Sequence, residues 1–229
     1  MSKKSERYID ADFLRGLAVI GMIIFHIFFI LDFYGILKNE MYQGAWLVLA
    51  RFVQITFLLL VGVFVALPGQ KYKEAGLPHK SFLFKQWKRA FKIFLLAMIV
   101  SVATYVVVGN LYVRFGILHL IALGISVSSF VAYNKSLSLF LGVLSAIIGF
   151  WMGDIPVSSS LDYFPIFPWI SVVFVGIWLG NLLYERKLMG ILKAHKFMRP
   201  ILLLGRNSLF IYMLHVPIIW GLVMLFKLL

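Results

Sequence analysis

The stretch RGLAVIGMIIFH, residues 15–26, has an arginine at one end, a histidine at the other, and no other ionisable side chain between them. On an α-helix eleven residues make about three turns and about 16 Å, so Arg15 and His26 project from nearly one face. What surrounds that face decides what the two can do. The chain is 62% hydrophobic and only 14% charged over 229 residues, with a mean hydropathy of +0.96. Soluble domains carry about a quarter charged residues, so the solvent around this helix is lipid. An ionisable side chain at membrane depth is costly unless it faces protein or a water-filled cavity. Arg15 and His26 are therefore expected to line one hydrated path.

Working outward, apolar runs long enough to cross a bilayer recur along the whole sequence, at roughly 12–34, 44–67, 90–109, 113–132, 137–152, 164–184 and 205–226. Each is close to the roughly 20 residues that span about 30 Å of hydrocarbon. The fold class expected is an all-α polytopic membrane protein. It has about seven transmembrane helices packed through Gly, Ala and Ser faces around a polar cavity, and residues 1–229 form a single membrane domain. The first run follows a basic tail, is longer than a signal-peptide core and ends without a small-residue cleavage site, so it is expected to stay as the first span.

The net charge of +13 sits in blocks between spans and not on an independent basic fold, so no nucleic-acid partner is expected. Lys3, Lys4 and Arg7 precede span one, KYKEAGLPHKSFLFKQWKRAFK follows span two, Lys135 follows span four and ERKLMGILKAHKFMRP follows span six. The alternate connections, LKNEMYQG, GNLY and GDIPVSSSLDYF, hold almost no Lys or Arg. By the positive-inside rule the N-terminus is cytoplasmic, and the protein is a multi-pass component of the cell membrane. Between Lys80 and Lys92, aromatic and basic residues alternate as on an interfacial amphipathic helix that lies on anionic lipid. The chain has no cysteine, which removes disulfides, thiolate catalysis and Cys-type zinc sites.

The remaining intramembrane ionisable groups are few. Asp12 lies one turn before Arg15 and can pair with it at i, i+3. Asp32 is near the outer end of the same helix. A carboxylate that reached His26 would fix its tautomer and raise its basicity, as a general base requires. Arg51 and Gln54 stand one turn apart in span two. RFGILHLIALG brings Arg114 and His119 in from the outside, with His119 about 10 Å below the edge at the 1.5 Å rise. SLDYFPIFPWI places Asp162 at the mouth of span six, and LGRNSLFIYMLHVPI carries Arg206 and Asn207 in from the cytoplasm and His215 to mid-membrane. Three intramembrane histidines raise the question of zinc. No pair has close ligand spacing, and no metal is expected.

DFLRGLAVIGMIIFH resembles the first-span signature of integral-membrane acyltransferases, an Arg-Gly pair with a histidine eleven residues after the Arg. RFGILHLIALG, YFPIFPWISVVFVGIWLG and LGRNSLFIYMLHVPI follow in the order seen in prokaryotic relatives of the heparan-α-glucosaminide N-acetyltransferase catalytic domain, a resemblance running from about Asp12 to Pro217. It implies transfer of an acyl group, usually acetyl, from cytoplasmic acyl-coenzyme A to a hydroxyl or amine, often of a sugar or glycan at the opposite face. A homodimer is implied by the resemblance only. The lysosomal enzyme of that family has asparagine at the position of His26 and takes its catalytic histidine from the following loop. That loop has no histidine here, so the role rests on His26 through the wider acyltransferase pattern.

On this reading His26 is the base, with Asp32 as its orienting group and Arg114 or His119 on the oxyanion. Arg15, Arg206, Asn207, Lys88 and Arg89 meet the phosphates of acetyl-coenzyme A or another acyl-coenzyme A, and Arg51, Gln54, Asp162, Trp169 and His215 contact the acceptor. The competing reading is a transporter that uses the buried His and Arg as a proton or substrate path. It calls for inverted repeats with paired broken helices, and none is visible in the sequence.

Overall fold

The computed structural model describes residues 8–38, 40–153, 160–188 and 195–228. Lys3, Lys4 and Arg7 of the basic tail, Asp154 of the fifth connection and Lys193 of the last basic connection lie outside the described residues. The helices are α1 (Ile9–Phe33), α2 (Gly44–Glu74), α3 (His79–Val108), α4 (Ile117–Ser128), α5 (Lys135–Met152), α6 (Ile166–Glu185), α7 (Arg199–Arg206) and α8 (Ser208–Leu228). Among the described residues the only β-type pairing is an isolated parallel bridge between Phe115 and Tyr163.

Among the described residues six helices are long and apolar enough to cross a membrane, and the expected fourth span forms the shorter apolar helix Ile117–Val131. Those 15 residues rise about 22 Å, short of a 30 Å hydrocarbon layer. The difference arises at the N-terminal side. Residues 113–116 are held outside the helix, where the Ser101 hydroxyl donates to the Val113 carbonyl and the Phe164 N–H to the Phe115 carbonyl. Helix α3 is longer than its expected span because the basic-aromatic segment 80–92 is continuous with it. Phe82, Gln86, Ala90, Ile93, Ala97 and Ser101 make one buried stripe along α3 at helical spacing, and Phe84, Lys88, Phe91 and Lys92 are exposed. The last expected span is interrupted at Asn207, which separates α7 from α8.

The chain divides into two compact units, one formed by residues 1–57 with 189–229 and the other by residues 58–188. In the first unit α1 lies against α7 with the backbones in contact. A Cβ on Gly16 would meet the Ile201 carbonyl oxygen at 2.1 Å, and one on Gly205 the Asp12 carbonyl oxygen at 1.9 Å. Only glycine permits this approach, the packing used where lipid provides no hydrophobic drive between helices. Further along, Val19 and Met22 pack with Val53, Ile211 and Tyr212. Ile30 packs with Ile219 and Val223, and the Trp220 indole N–H donates to the Tyr34 hydroxyl. Helices α1 and α8 therefore run parallel in a fixed register.

In the second unit the later turns of α2 meet α6 in the same way. A Cβ on Gly62 would stand 2.1 Å from the Val173 carbonyl oxygen, and one on Gly176 2.2 Å from that of Leu59. Helix α5 lays Gly142 and Gly149 on α6, at Val175 and Pro168. Buried Asn181 is bonded to other segments of this unit: the Gln70 amide donates to Asn181, whose own amide donates to the Ala132 carbonyl.

Candidate active site

The register of α1 against α7 and α8 carries two clusters. At the first, the Asp12 carboxylate accepts from Arg206 Nε at 3.3 Å through Oδ2 and lies 3.7 Å from Arg15 Nη1 through Oδ1. Asp12 is 8% exposed, and the glycine contact between Gly205 and its carbonyl fixes where its backbone sits. Two guanidinium groups on one carboxylate leave the cluster with a surplus positive charge. Arg206 bonds through Nε and its side chain is 34% exposed, so its guanidinium is partly open to a further anion. Asn207 follows at the break between helices and donates its amide to the Leu203 carbonyl.

Fourteen residues beyond Asp12 on α1 lies the second cluster. The rings of His26 and His215 stand with centroids 4.7 Å apart and planes at 87°. His26 Nδ1–H donates to the Met22 carbonyl at 2.8 Å. His215 Nδ1–H donates to the Tyr212 carbonyl at 2.8 Å, with the Ile211 carbonyl at 3.2 Å. Backbone carbonyls only accept, so both protons belong on Nδ1 and each neutral ring carries its lone pair on Nε2. Phe25 and Phe29 flank His26, and Tyr212 flanks His215. Such an arrangement orients a base, because a fixed Nδ1–H holds Nε2 ready to receive a proton.

Asp32 is the expected orienting group for His26; in the structure Nδ1 is bonded to the Met22 carbonyl. Six residues further along a helix, Asp32 is about 9 Å away along the axis and about 240° around it. The pairing of His26 with His215 and the bond from Asp12 to Arg206 were both missed. The signal was present, since 15–26 and 206–215 each run from arginine to histidine in the same direction. Two such strings on adjacent parallel helices bring like to like. Arg51, in the same unit, is exposed and donates to Gln54 Oε1 at 3.1 Å.

The other expected residues belong to the second unit. His119 is 5% exposed and has the opposite tautomer: its Nδ1 accepts the Gly116 N–H at 3.2 Å, which places the ring proton on Nε2. Phe115 stacks on it and Phe94 meets it edge to face. The Asp162 carboxylate accepts the Ile117 N–H at 3.4 Å, occupying the positive end of α4. Burial pushes the Asp162 carboxyl up to about 6, against the opposing pull of the Ile117 bond. Arg114 is exposed and stands over the Tyr112 ring, and Trp169 meets Phe164 edge to face. Arg89 donates to the Phe64 carbonyl at 3.5 Å, and Lys88 is exposed. Among the described residues no three His, Cys, Asp or Glu side chains cluster as a metal site would require.

The family described as heparan-alpha-glucosaminide N-acetyltransferase, catalytic, matches residues 7–217. No curated protein and no solved structure matches the chain. The matched span contains both clusters of the first unit and all six apolar helices long enough to cross a membrane, the last of them in part. The chain is a multi-pass membrane protein and belongs to the heparan-α-glucosaminide N-acetyltransferase catalytic-domain family.

Proposed function

We propose that this protein transfers an acyl group, acetyl in the simplest case, from acyl-coenzyme A to a hydroxyl or amine of a sugar-like acceptor, with His26 as general base. The observation that carries the reading is the shared register of α1 with α7 and α8. It sets a surplus-cation cluster, Asp12 with Arg15 and Arg206, on the same helix pair as an oriented imidazole. Coenzyme A is a polyanion at one end and a thioester at the other, joined by a long flexible arm. Arg15, Arg206 and Asn207 are the donors for its phosphates. The arm spans the length of α1 that separates Arg15 from His26, about 16 Å.

His26 Nε2 takes the proton from the acceptor as the acceptor oxygen or nitrogen attacks the thioester carbonyl. The C–S bond then breaks, and the leaving sulfur takes that proton back from His26. Arg51 and Gln54 offer a charged and a neutral contact to a polyhydroxylated acceptor. The second unit, taken by itself, holds His119 with its proton on Nε2 and exposed Arg114, both hydrogen-bond donors. Asp162 and Trp169 are a carboxylate and an aromatic face of the kind sugars favour, and Lys88 and Arg89 are cations of that same second unit.

The test uses purified protein in proteoliposomes with labelled acetyl-coenzyme A and a panel of amino sugars and neutral sugars. Acceptor-dependent thiol release with label appearing on the acceptor is expected. Movement of label across the membrane without thiol release would replace this reading with transport.

A further inference from the structure

Among the described residues three buried side-chain atoms have no hydrogen-bond partner. Gln86 Oε1 and Ser128 Oγ lie in the second unit, and the third, in the first unit, is His215 Nε2. A buried acceptor without a donor is costly, and His215 pays that cost at one place, beside the proposed base. Its residue is 6% exposed. Its Nδ1–H is already committed to the Tyr212 and Ile211 carbonyls, which turns the unfilled lone pair out on Nε2. An acceptor molecule does not reach an atom sealed from solvent, so a direct contact between His215 and the substrate is not what this geometry offers. What adjoins the atom's ring is the His26 ring, at 4.7 Å between centroids and nearly perpendicular. At that separation the two rings are close enough for an N–H···N bond between them. Among the described residues the titratable Tyr212 stands against His215, and Phe25 and Phe29 stand against His26.

We infer that His215 is a positioning residue for the transfer, its Nε2 accepting a hydrogen bond from the Nε2–H of His26 during the interval in which His26 holds the acceptor's proton. The inference rests on the reading of His26 as base and adds to it a partner for the charged intermediate. Proton bookkeeping is closed: the acceptor's proton goes to His26 Nε2, the acceptor's electron pair forms the new bond to the carbonyl carbon, and the C–S pair leaves on sulfur. Sulfur then takes the same proton from His26. His215 neither gains nor loses a proton at any step. Before the proton arrives, the two rings present lone pairs only and have nothing to share. After it arrives, the unfilled acceptor is satisfied and the imidazolium is stabilised in a site lined by aromatic rings. The hydrogen bond is thus made in the high-energy part of the cycle and absent in the resting state, the property that lowers a barrier.

The experiment compares His215→Leu and His215→Gln, near the size of the imidazole, with His26→Ala as reference. Thiol release and acetyl-coenzyme A binding are measured on monodisperse protein. Glutamine keeps an acceptor oxygen, and leucine keeps only volume. A hydrogen bond to a charged group predicts that His215→Leu lowers kcat by about 10- to 100-fold, with KM for acetyl-coenzyme A unchanged. His215→Gln is expected to stay within about threefold of wild type. Leucine retaining kcat, or glutamine losing as much as leucine, overturns the inference, and His215→Met replaces the leucine variant if that does not fold. If His26→Ala keeps wild-type activity, the underlying reading fails. If His26→Ala is inactive and His215→Leu is not impaired, only the partnership fails.

Discussion

Asp12 shows how much a single side chain can organise. Its carboxylate is shared by Arg15, three residues on, and Arg206, 194 residues on. Replacing it by asparagine keeps the shape and removes the anion that two guanidinium groups share. The expected loss is about 1–2 kcal/mol, because the pairs are only partly buried and water screens them. An added polyanion should return more of that loss in Asp12→Asn than it adds to wild type, since a phosphate can take the place of the carboxylate. Thermal unfolding in detergent with and without coenzyme A measures both effects. An unchanged melting temperature, or an equal rise in both proteins, would contradict the shared role. At this scale the sequence was half legible. The Asp12–Arg15 contact follows from i, i+3 spacing, and so does the common face of Arg15 and His26. The contacts to Arg206 and His215 depend on which helix lies beside α1, and no local pattern carries that information.

Helix α4 is where tertiary contacts displaced what hydropathy implied. Residues 113–116 are apolar enough to be read as the start of a span, but the Phe115–Tyr163 bridge and the bonds to the loop after α5 hold them outside the helix. Hydropathy cannot register such a competitor for the backbone. The Asp162 carboxylate lies against the resulting N-terminus and is raised by burial to about 6, above the ordinary value near 4. The folded state therefore holds this proton at pH values where the unfolded chain has released it. It follows that stability contributed at this position is greatest at low pH and declines as pH rises from about 4 to about 6, then levels off. Asp162→Asn, which cannot ionise, should flatten that decline, so that its melting temperature gains on wild type between pH 4.5 and pH 7. A parallel pH dependence in the two proteins would show that burial does not act on Asp162. The α3 extension has the opposite origin. Its basic residues made 80–92 look separate from the span, yet the buried stripe from Phe82 to Ser101 is unbroken and keeps one helix going.

For the whole molecule, composition alone fixed the class: an all-helical multi-pass membrane protein, with six helices of spanning length. Of the roughly seven expected spans, the fourth forms the shorter apolar helix Ile117–Val131 and the last is broken at Asn207, because window averages see neither a short helix nor a kink. Charge asymmetry between connections predicts which side each occupies. That orientation places the Asp12 cluster at the cytoplasmic end of α1 and the histidines deeper, as the proposed cytoplasmic donor requires. The absence of native cysteine makes a direct check simple. Lys73→Cys, in the last turn of α2, should be shielded from a membrane-impermeant maleimide in intact cells and labelled after permeabilisation. Lys38→Cys, after α1, should be labelled in intact cells. The reverse pattern would place the cation cluster on the wrong side for a cytoplasmic donor.

The central claim is that the imidazole on α1 takes the acceptor's proton. Its most direct test is the rate of acceptor-dependent thiol release by purified His26→Ala in proteoliposomes, with acetyl-coenzyme A binding measured on the same sample. Loss of a general base predicts a fall of about 100- to 10,000-fold with binding preserved. A His26→Ala protein that binds the donor and turns over at the wild-type rate would contradict it.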